Sequence, residues 1–296
     1  MAGAHLRSRT GEGDTRLPAT RTFDFETADD GAIVARHGDV TLRTAFQPVF
    51  RFQNGRLSPV ACEALLRVMR GTTPVLTDAW FSSLDMPEFR QIEPELRRLH
   101  IRNARHLPPG QQRLFLNFDP RIPESGSGFD AILRELGSEL RDAGISPADV
   151  VCEITEAHTD RTEILTHLSY ELRARGFLIA VDDFGAHASR LGRVTALAPD
   201  IVKFDGNLVQ RLLATRAGFG TLATLVARFR DDGIHSVLEG LEALWQVGLA
   251  EKADAAMVQG YVLAAPRLAG PDLPAWLGQY HVPRHSTNVQ LAKRYN

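Results

Sequence analysis

At 296 residues, with 44% hydrophobic and 24% charged side chains, the chain has the composition of a soluble globular protein, either one large domain or two ordinary ones. Its 34 basic residues nearly balance 36 acidic ones, and a formal charge of −2 makes no electrostatic case for a nucleic-acid polymer or a membrane surface as partner. No apolar run approaches a membrane span, and the N-terminal arginines precede no signal-peptide core. Two cysteines make no disulfide framework, so a cytoplasmic enzyme or binding protein is expected.

Residues 1 to 21 are small, polar and arginine-rich without any period, which predicts a disordered tail. The stretch "TFDFETADDGAIVARHG" alternates weakly around Asp30-Gly31 and predicts a short hairpin or a cap. From residue 40 short β-rich runs recur: Thr44–Phe50, Val60–Leu66, Arg113–Phe118, Val150–Ile154, Leu178–Val181, Ile201–Phe204, His235–Leu238 and Ala256–Val258. Helical spacing separates them. Ile132, Leu133, Leu136 and Leu140 share one face of a helix over Asp130–Ala143, which Gly144 stops. Ile164, Leu165, Leu168 and Leu172 do the same over Arg161–Arg175, and a longer helical region runs from Asn207 to Asp232. Alternating strands and helices imply a parallel sheet, and eight such units imply a (β/α)8 TIM-like barrel in a single domain. The expected layout is an N-terminal extension over 1–39, a barrel over 40–270 and a tail over 271–296.

A barrel enzyme works where its strands end, so polar and ionisable residues should cluster there. The runs close on Gln47, Glu63, Asn117, Glu153, the pair Asp182-Asp183, Lys203, Glu239 and Gln259. Any one of these is ordinarily a helix cap, a turn residue or a solvated charge. Together they are costly, because carboxylates focused in one mouth resist ionisation beside each other and need a positive partner. Oxygen-only donors without His or Cys point to a hard cation such as Mg²⁺, Mn²⁺ or Ca²⁺. Adjacent aspartates at a frayed strand end can address two metals about 4 Å apart. Two-metal sites of this kind attack phosphodiesters with activated water, so the residues by themselves point to metal-dependent phosphoester hydrolysis.

The motifs "FQPVF", "EALLR", "LNFDP", "CEITE", "VDDFG", "VKFD", "EGLE" and "QGYVLAAP" occur in the order found in EAL domains, and residues from about 40 to 270 resemble that family. The resemblance implies hydrolysis of cyclic di-GMP to linear pGpG with two Mg²⁺ or Mn²⁺ ions per site and inhibition by Ca²⁺. By motif, Glu63, Asn117, Glu153 and Asp182 resemble metal ligands, and Asp183 would hold the second metal and the attacking water. Lys203 resembles the lysine on that water, Glu239 the further acid of the site and Gln259 its supporting partner. Arg67 resembles the phosphate-binding arginine, Pro266 sits where a guanine packs, and Gln47 falls in the substrate-side motif. Glu156 resembles the glutamate that anchors the loop after the aspartates.

That loop departs from the family. After Asp182-Asp183-Phe184-Gly185 the family carries Thr or Ser and then Gly, whereas this chain has Ala186 and His187. The hydroxyl is missing, and His187 disfavours positive φ where glycine would accept it. In the family this loop positions the second metal and contributes to a homodimer. The alternative function is therefore a catalytically weak or inactive EAL-like domain that acts as a cyclic di-GMP receptor or as a protein-interaction module with a regulatory protein partner. Cys62 and Cys152 each precede a proposed ligand, so strand alternation should point them outward under the helices. "HVPRH" at 281–285 is expected to be a solvated tail.

Overall fold

The computed structural model describes residues 23–53, 56–108, 113–119, 126–155, 162–186, 194, 197–280 and 282–283. The predicted N-terminal tail, Glu156, His187 and most of the C-terminal tail lie outside them. Strand β1 (Asp24–Thr27) and strand β2 (Ile33–His37) form the predicted hairpin, and β2 pairs with the long β3 (Val40–Gln53). Strand β4 (Arg56–Arg70) returns along β3, and short β5 (Thr73–Val75) folds back on β4. Helices α1 (Thr77–Ser82) and α2 (Met86–Asn103) follow. The chain then alternates β6 (Leu114–Phe118), α3 (Gly126–Asp142), β7 (Val150–Thr155), α4 (Thr162–Ala174) and β8 (Leu178–Phe184). It continues with β9 (Ile201–Phe204), α5 (Gly206–Leu213), α6 (Arg216–Asp231), β10 (His235–Leu238), α7 (Leu244–Lys252) and β11 (Met257–Val258). Last come β12 (Arg267–Leu268), α8 (Leu273–Gly278) and β13 (Val282–Pro283), the last on β4.

Eight of these strands close in the order β3-β11-β10-β9-β8-β7-β6-β4, with β3 and β4 completing the ring. All eight runs expected from the sequence are barrel strands. The parallel direction expected for the whole sheet fails at one place: β3 runs antiparallel to both its neighbours, β4 and β11. The cause is the connection. The strands end at Gln53 and restart at Arg56, and so short a link can only make a hairpin, whereas parallel neighbours need a crossover of a dozen residues. The single helical region expected over Asn207–Asp232 is two helices, because Thr215 leaves helical geometry and caps α6 by accepting from the Gly218 amide.

Period-two alternation divides each barrel strand between an inside and an outside. The outward residues, Cys62 and Cys152 among them, belong to one large apolar core with Leu133 and Leu136 of α3 and Leu165 and Leu168 of α4, and both thiols are free and buried. Inside, one buried apolar residue from every strand meets the others: Val49, Ala61, Phe115, Val151, Ala180, Ile201, Val237 and Met257. This plug fills the barrel and makes it a packed core with no pore.

Candidate active site: a polar ring two residues above the apolar plug

One pleat further along each parallel strand, two residues beyond the plug, stand Glu63, Asn117, Glu153, Asp182, Lys203, Glu239 and Gln259. On antiparallel β3 the same level is reached by counting backwards, from Val49 to Gln47, and Gln47 sits opposite Glu63 in the ladder. Gln47 therefore belongs to the ring from the middle of a strand and not from its end. Of the positions expected from the sequence, only Asp183 leaves this level.

Lys203 occupies the centre. It is 1% exposed, and its Nζ lies 2.8 Å from Glu239 Oε1, 3.1 Å from Asp182 Oδ1 and 3.4 Å from Glu63 Oε1, and also pairs with Glu153 Oε1. Burial works against the ammonium, but the carboxylates of Asp182, Glu153, Glu239 and Glu63 outweigh it and hold Lys203 well above the usual lysine range. Burial pushes Glu153 far up and Glu239 up as well; Lys203 opposes both shifts, and the neighbouring acids add to them. Gln259 Nε2 donates to Glu63 Oε2 at 2.8 Å, so it supports Glu63, whereas the sequence resemblance placed it beside Glu239. Gln47 Nε2 donates to the Ala264 carbonyl at 3.1 Å and ties the strand to the loop leading to Pro266, which is half-buried.

The adjacent aspartates are separated by the backbone. Asp182 pairs with Thr155 in the ladder, but the register with β9 shifts between Val181 and Phe184, and Asp183 has φ 55°. A left-handed aspartate at a bulge carries its side chain to the mouth, where it is exposed along one edge. Its partial burial, with Asp182 beside it, pushes its carboxyl up to about 6. The turn continues through Gly185, whose φ is +91° and whose Cβ, were it present, would lie 2.3 Å from Leu208 Cδ2. Glu239 is followed by Gly240, φ +64°, where a Cβ would come within 2.7 Å of the Gly206 Cα, so the loops after β9 and β10 touch backbone to backbone.

Four carboxyl groups are more than one ammonium can hold ionised, which is part of why Glu153 and Glu239 are pushed up. Among the described residues Glu153 Oε2 is buried without a hydrogen-bond partner. An orphaned carboxylate oxygen in an all-oxygen set fits a divalent cation of the Mg²⁺, Mn²⁺ or Ca²⁺ type. Among the described residues no three His, Cys, Asp or Glu side chains are already drawn together as a cage; the acids converge on Nζ instead.

Beside the ring opens a cleft of about 640 Å³, lined by Arg67, Asn117, Phe118 and Phe81 and by Glu93 and Arg97 of α2. Asn117 is exposed to it, and Arg67 Nη1 donates to the Leu66 carbonyl at 2.8 Å. Arg97 pairs with buried Glu93 and lies 4.1 Å over the Phe118 ring. These two residues and α2 itself are missing from the sequence expectations. The signal was present: Asp85 caps α2 by accepting from the Glu88 amide at 2.8 Å, a D-x-x-E start with a proline at the first turn. Pro94 and a dense run of arginines disguised the apolar face that follows.

Residues 34–266 match the model of the EAL domain. Among curated proteins, the chain is 26% identical over 225 residues to the uncharacterized EAL-domain containing protein YkuI of Bacillus subtilis, covering 75% of the chain and 54% of the relative. It is 24% identical over 239 residues to the cyclic di-GMP phosphodiesterase NbdA of Pseudomonas aeruginosa, covering 77% and 29%. Among solved structures it is similar to BlrP1 of Klebsiella pneumoniae in its calcium/cy-diGMP complex, with TM-score 0.67, 25% identity, and 77% and 56% of the two chains covered. A manganese/cy-diGMP complex of BlrP1 superposes equally well, with TM-score 0.68 and 24% identity, covering 84% and 59% of the two chains. The chain thus spans about half or less of the length of these curated relatives. With the motif-bearing strands, the barrel and the match over residues 34–266 all in agreement, the chain belongs to the EAL domain family.

Proposed function

We propose that this chain hydrolyses cyclic di-GMP to linear pGpG with the help of two divalent cations. The observation that carries the reading is the convergence of Glu63, Glu153, Asp182 and Glu239 at one buried level of the barrel. The phosphodiesterase relatives and the cy-diGMP complexes of the neighbours support it. Glu63, Asn117, Glu153, Asp182 and Asp183 would hold Mg²⁺ or Mn²⁺. When bound, such ions supply Lewis-acid stabilisation of a phosphoryl oxygen and activation of water.

The chain's own residues do the rest. Gln259 fixes the Glu63 carboxylate, and Lys203 holds the three other acids at one level and presents positive charge where the attacked phosphate gains negative charge. Arg67 on the cleft wall binds a phosphate oxygen, and Pro266 packs against a base. Asp183, at the mouth, orients water.

A second reading, a receptor that binds without turnover, is favoured by Ala186, which supplies no hydroxyl after the aspartates. Turnover of cyclic di-GMP in Mg²⁺ and in Mn²⁺, with binding measured in Ca²⁺, separates the two. Formation of pGpG supports the enzyme, micromolar binding without product supports the receptor, and no binding in any metal refutes both. Replacing Ala186 and His187 by Thr and Gly should raise turnover; an unchanged rate would clear the loop of blame.

A further inference from the structure

Of the chain's 34 cationic side chains, 31 are arginine and three are lysine: Lys203, Lys252 and Lys293. One of those three fills the fully buried position at the centre of the acidic ring. An arginine fork could not sit there. The site needs a compact charge with three rotatable donors, reachable from four directions at once. Lys203 Nζ contacts one oxygen of each of four carboxylates, three of them assigned above to the metals.

Those oxygens serve one cation or another, but not both at full strength. We infer that Lys203 is a resident counter-ion that competes with the divalent metals for Glu63, Glu153 and Asp182, so that metal affinity is set by how readily the ammonium gives them up. This inference rests on the metal-dependent reading above. Two observations besides the distances support it. The acids converge on Nζ and, among the described residues, form no cage of their own, and the second oxygen of Glu153 is buried without a hydrogen-bond partner. The competing view makes Lys203 only a scaffold that pre-positions the acids, in which case its removal should weaken metal binding. The two views therefore differ in sign.

The test uses Mn²⁺ alone, titrated calorimetrically at pH 8 into the full chain and into Lys203→Met. Competition predicts that the substitution tightens Mn²⁺ binding by about tenfold or more, since a unit charge a few ångströms from the ion is removed. It also predicts a lower melting temperature in chelator and a larger Mn²⁺-induced rise than the parent shows. Equal or weaker Mn²⁺ binding overturns the inference while leaving the metal reading intact. Absence of Mn²⁺ binding in both proteins overturns the two together. Should Lys203→Met not fold, the unmodified protein still decides. With only three lysines, ¹⁵Nζ labelling gives a resolvable ammonium signal for Lys203. Saturating Mg²⁺ should shift that signal and speed its proton exchange, and an unmoved, equally protected signal overturns the inference.

Discussion

Two rings of side chains lie two residues apart on the same eight strands, and their chemistry is opposite. The lower ring, from Val49 to Met257, is wholly apolar, closely packed and satisfied. The upper ring, from Gln47 to Gln259, crowds four carboxylates round a lysine and leaves a buried oxygen unpaired. The first ring stabilises the barrel, whereas the second costs stability and, in the function proposed, would hold the chemistry. Strand geometry alone separates the two, since a step of two residues keeps a side chain inside the barrel and lifts it one layer.

Substitutions one layer apart should therefore fail in different ways. Phe115→Ala, in the lower ring, should cost about 3–5 kcal/mol in urea unfolding, with the folded fraction retaining its turnover. Glu63→Ala, in the upper ring, should lower kcat by about 10²–10³-fold with the fold intact by circular dichroism. If Glu63→Ala unfolded the barrel, or kept full activity, the division between the layers would be wrong.

A smaller effect lies outside both rings. Asn103, fully buried on α2, accepts from the Ile33 amide at 2.9 Å and donates to the Ile33 carbonyl at 2.7 Å and to Thr44 Oγ1 at 3.2 Å. Asn103→Ala should cost about 1–3 kcal/mol and open the Ile33 amide to hydrogen exchange while the ring stays assembled.

An effect of similar size concerns pH. Burial, with Arg97 and Arg67 nearby, lowers the His100 imidazole from 6.5 to about 3. The unfolded chain thus takes up a proton below about pH 6.5 that the folded protein refuses until about pH 3, and stability falls as the pH drops through that window. By pH 5 this amounts to about 2 kcal/mol. His100→Gln should flatten that part of the stability profile, and an unchanged slope would mean that His100 is protonated in place.

The sequence made the upper ring legible because a polar residue that breaks or closes an apolar run is conspicuous, as Glu63 breaks "ACEALL" and Asp182 closes "LIAV". Gln47 was legible as a member but not in its direction. A strand's alternation reads the same both ways, and only the two-residue gap before Arg56 reverses β3. Helix α2 was lost because its buried face mixes polar residues with Phe89, Ile92, Leu96 and Leu99. Glu93, Arg97, His100 and Asn103 recur at helical spacing and point inward, so a search for apolar periodicity passes over them. Their burial depends on partners from distant parts of the chain, Thr44, Phe118 and Ile33, which no local window contains.

The antiparallel first strand also bears on how the barrel is assembled. Strands β3 and β4 share a ladder of thirteen residue pairs formed within one hairpin, a local event of the kind that is fast. The opposite seam, β11 against β3, has a single ladder pair, Val258 with Phe50, made across most of the chain. Contacts of such long range form late, after the intervening units are in place. That seam is fastened by amides from the polar ring, Gln259 to Glu63 and Gln47 to the Ala264 carbonyl. Closing the barrel and completing the acidic ring are then one kinetic step. A nascent chain released before Gln259 would carry all of the ring's acids and none of the closure.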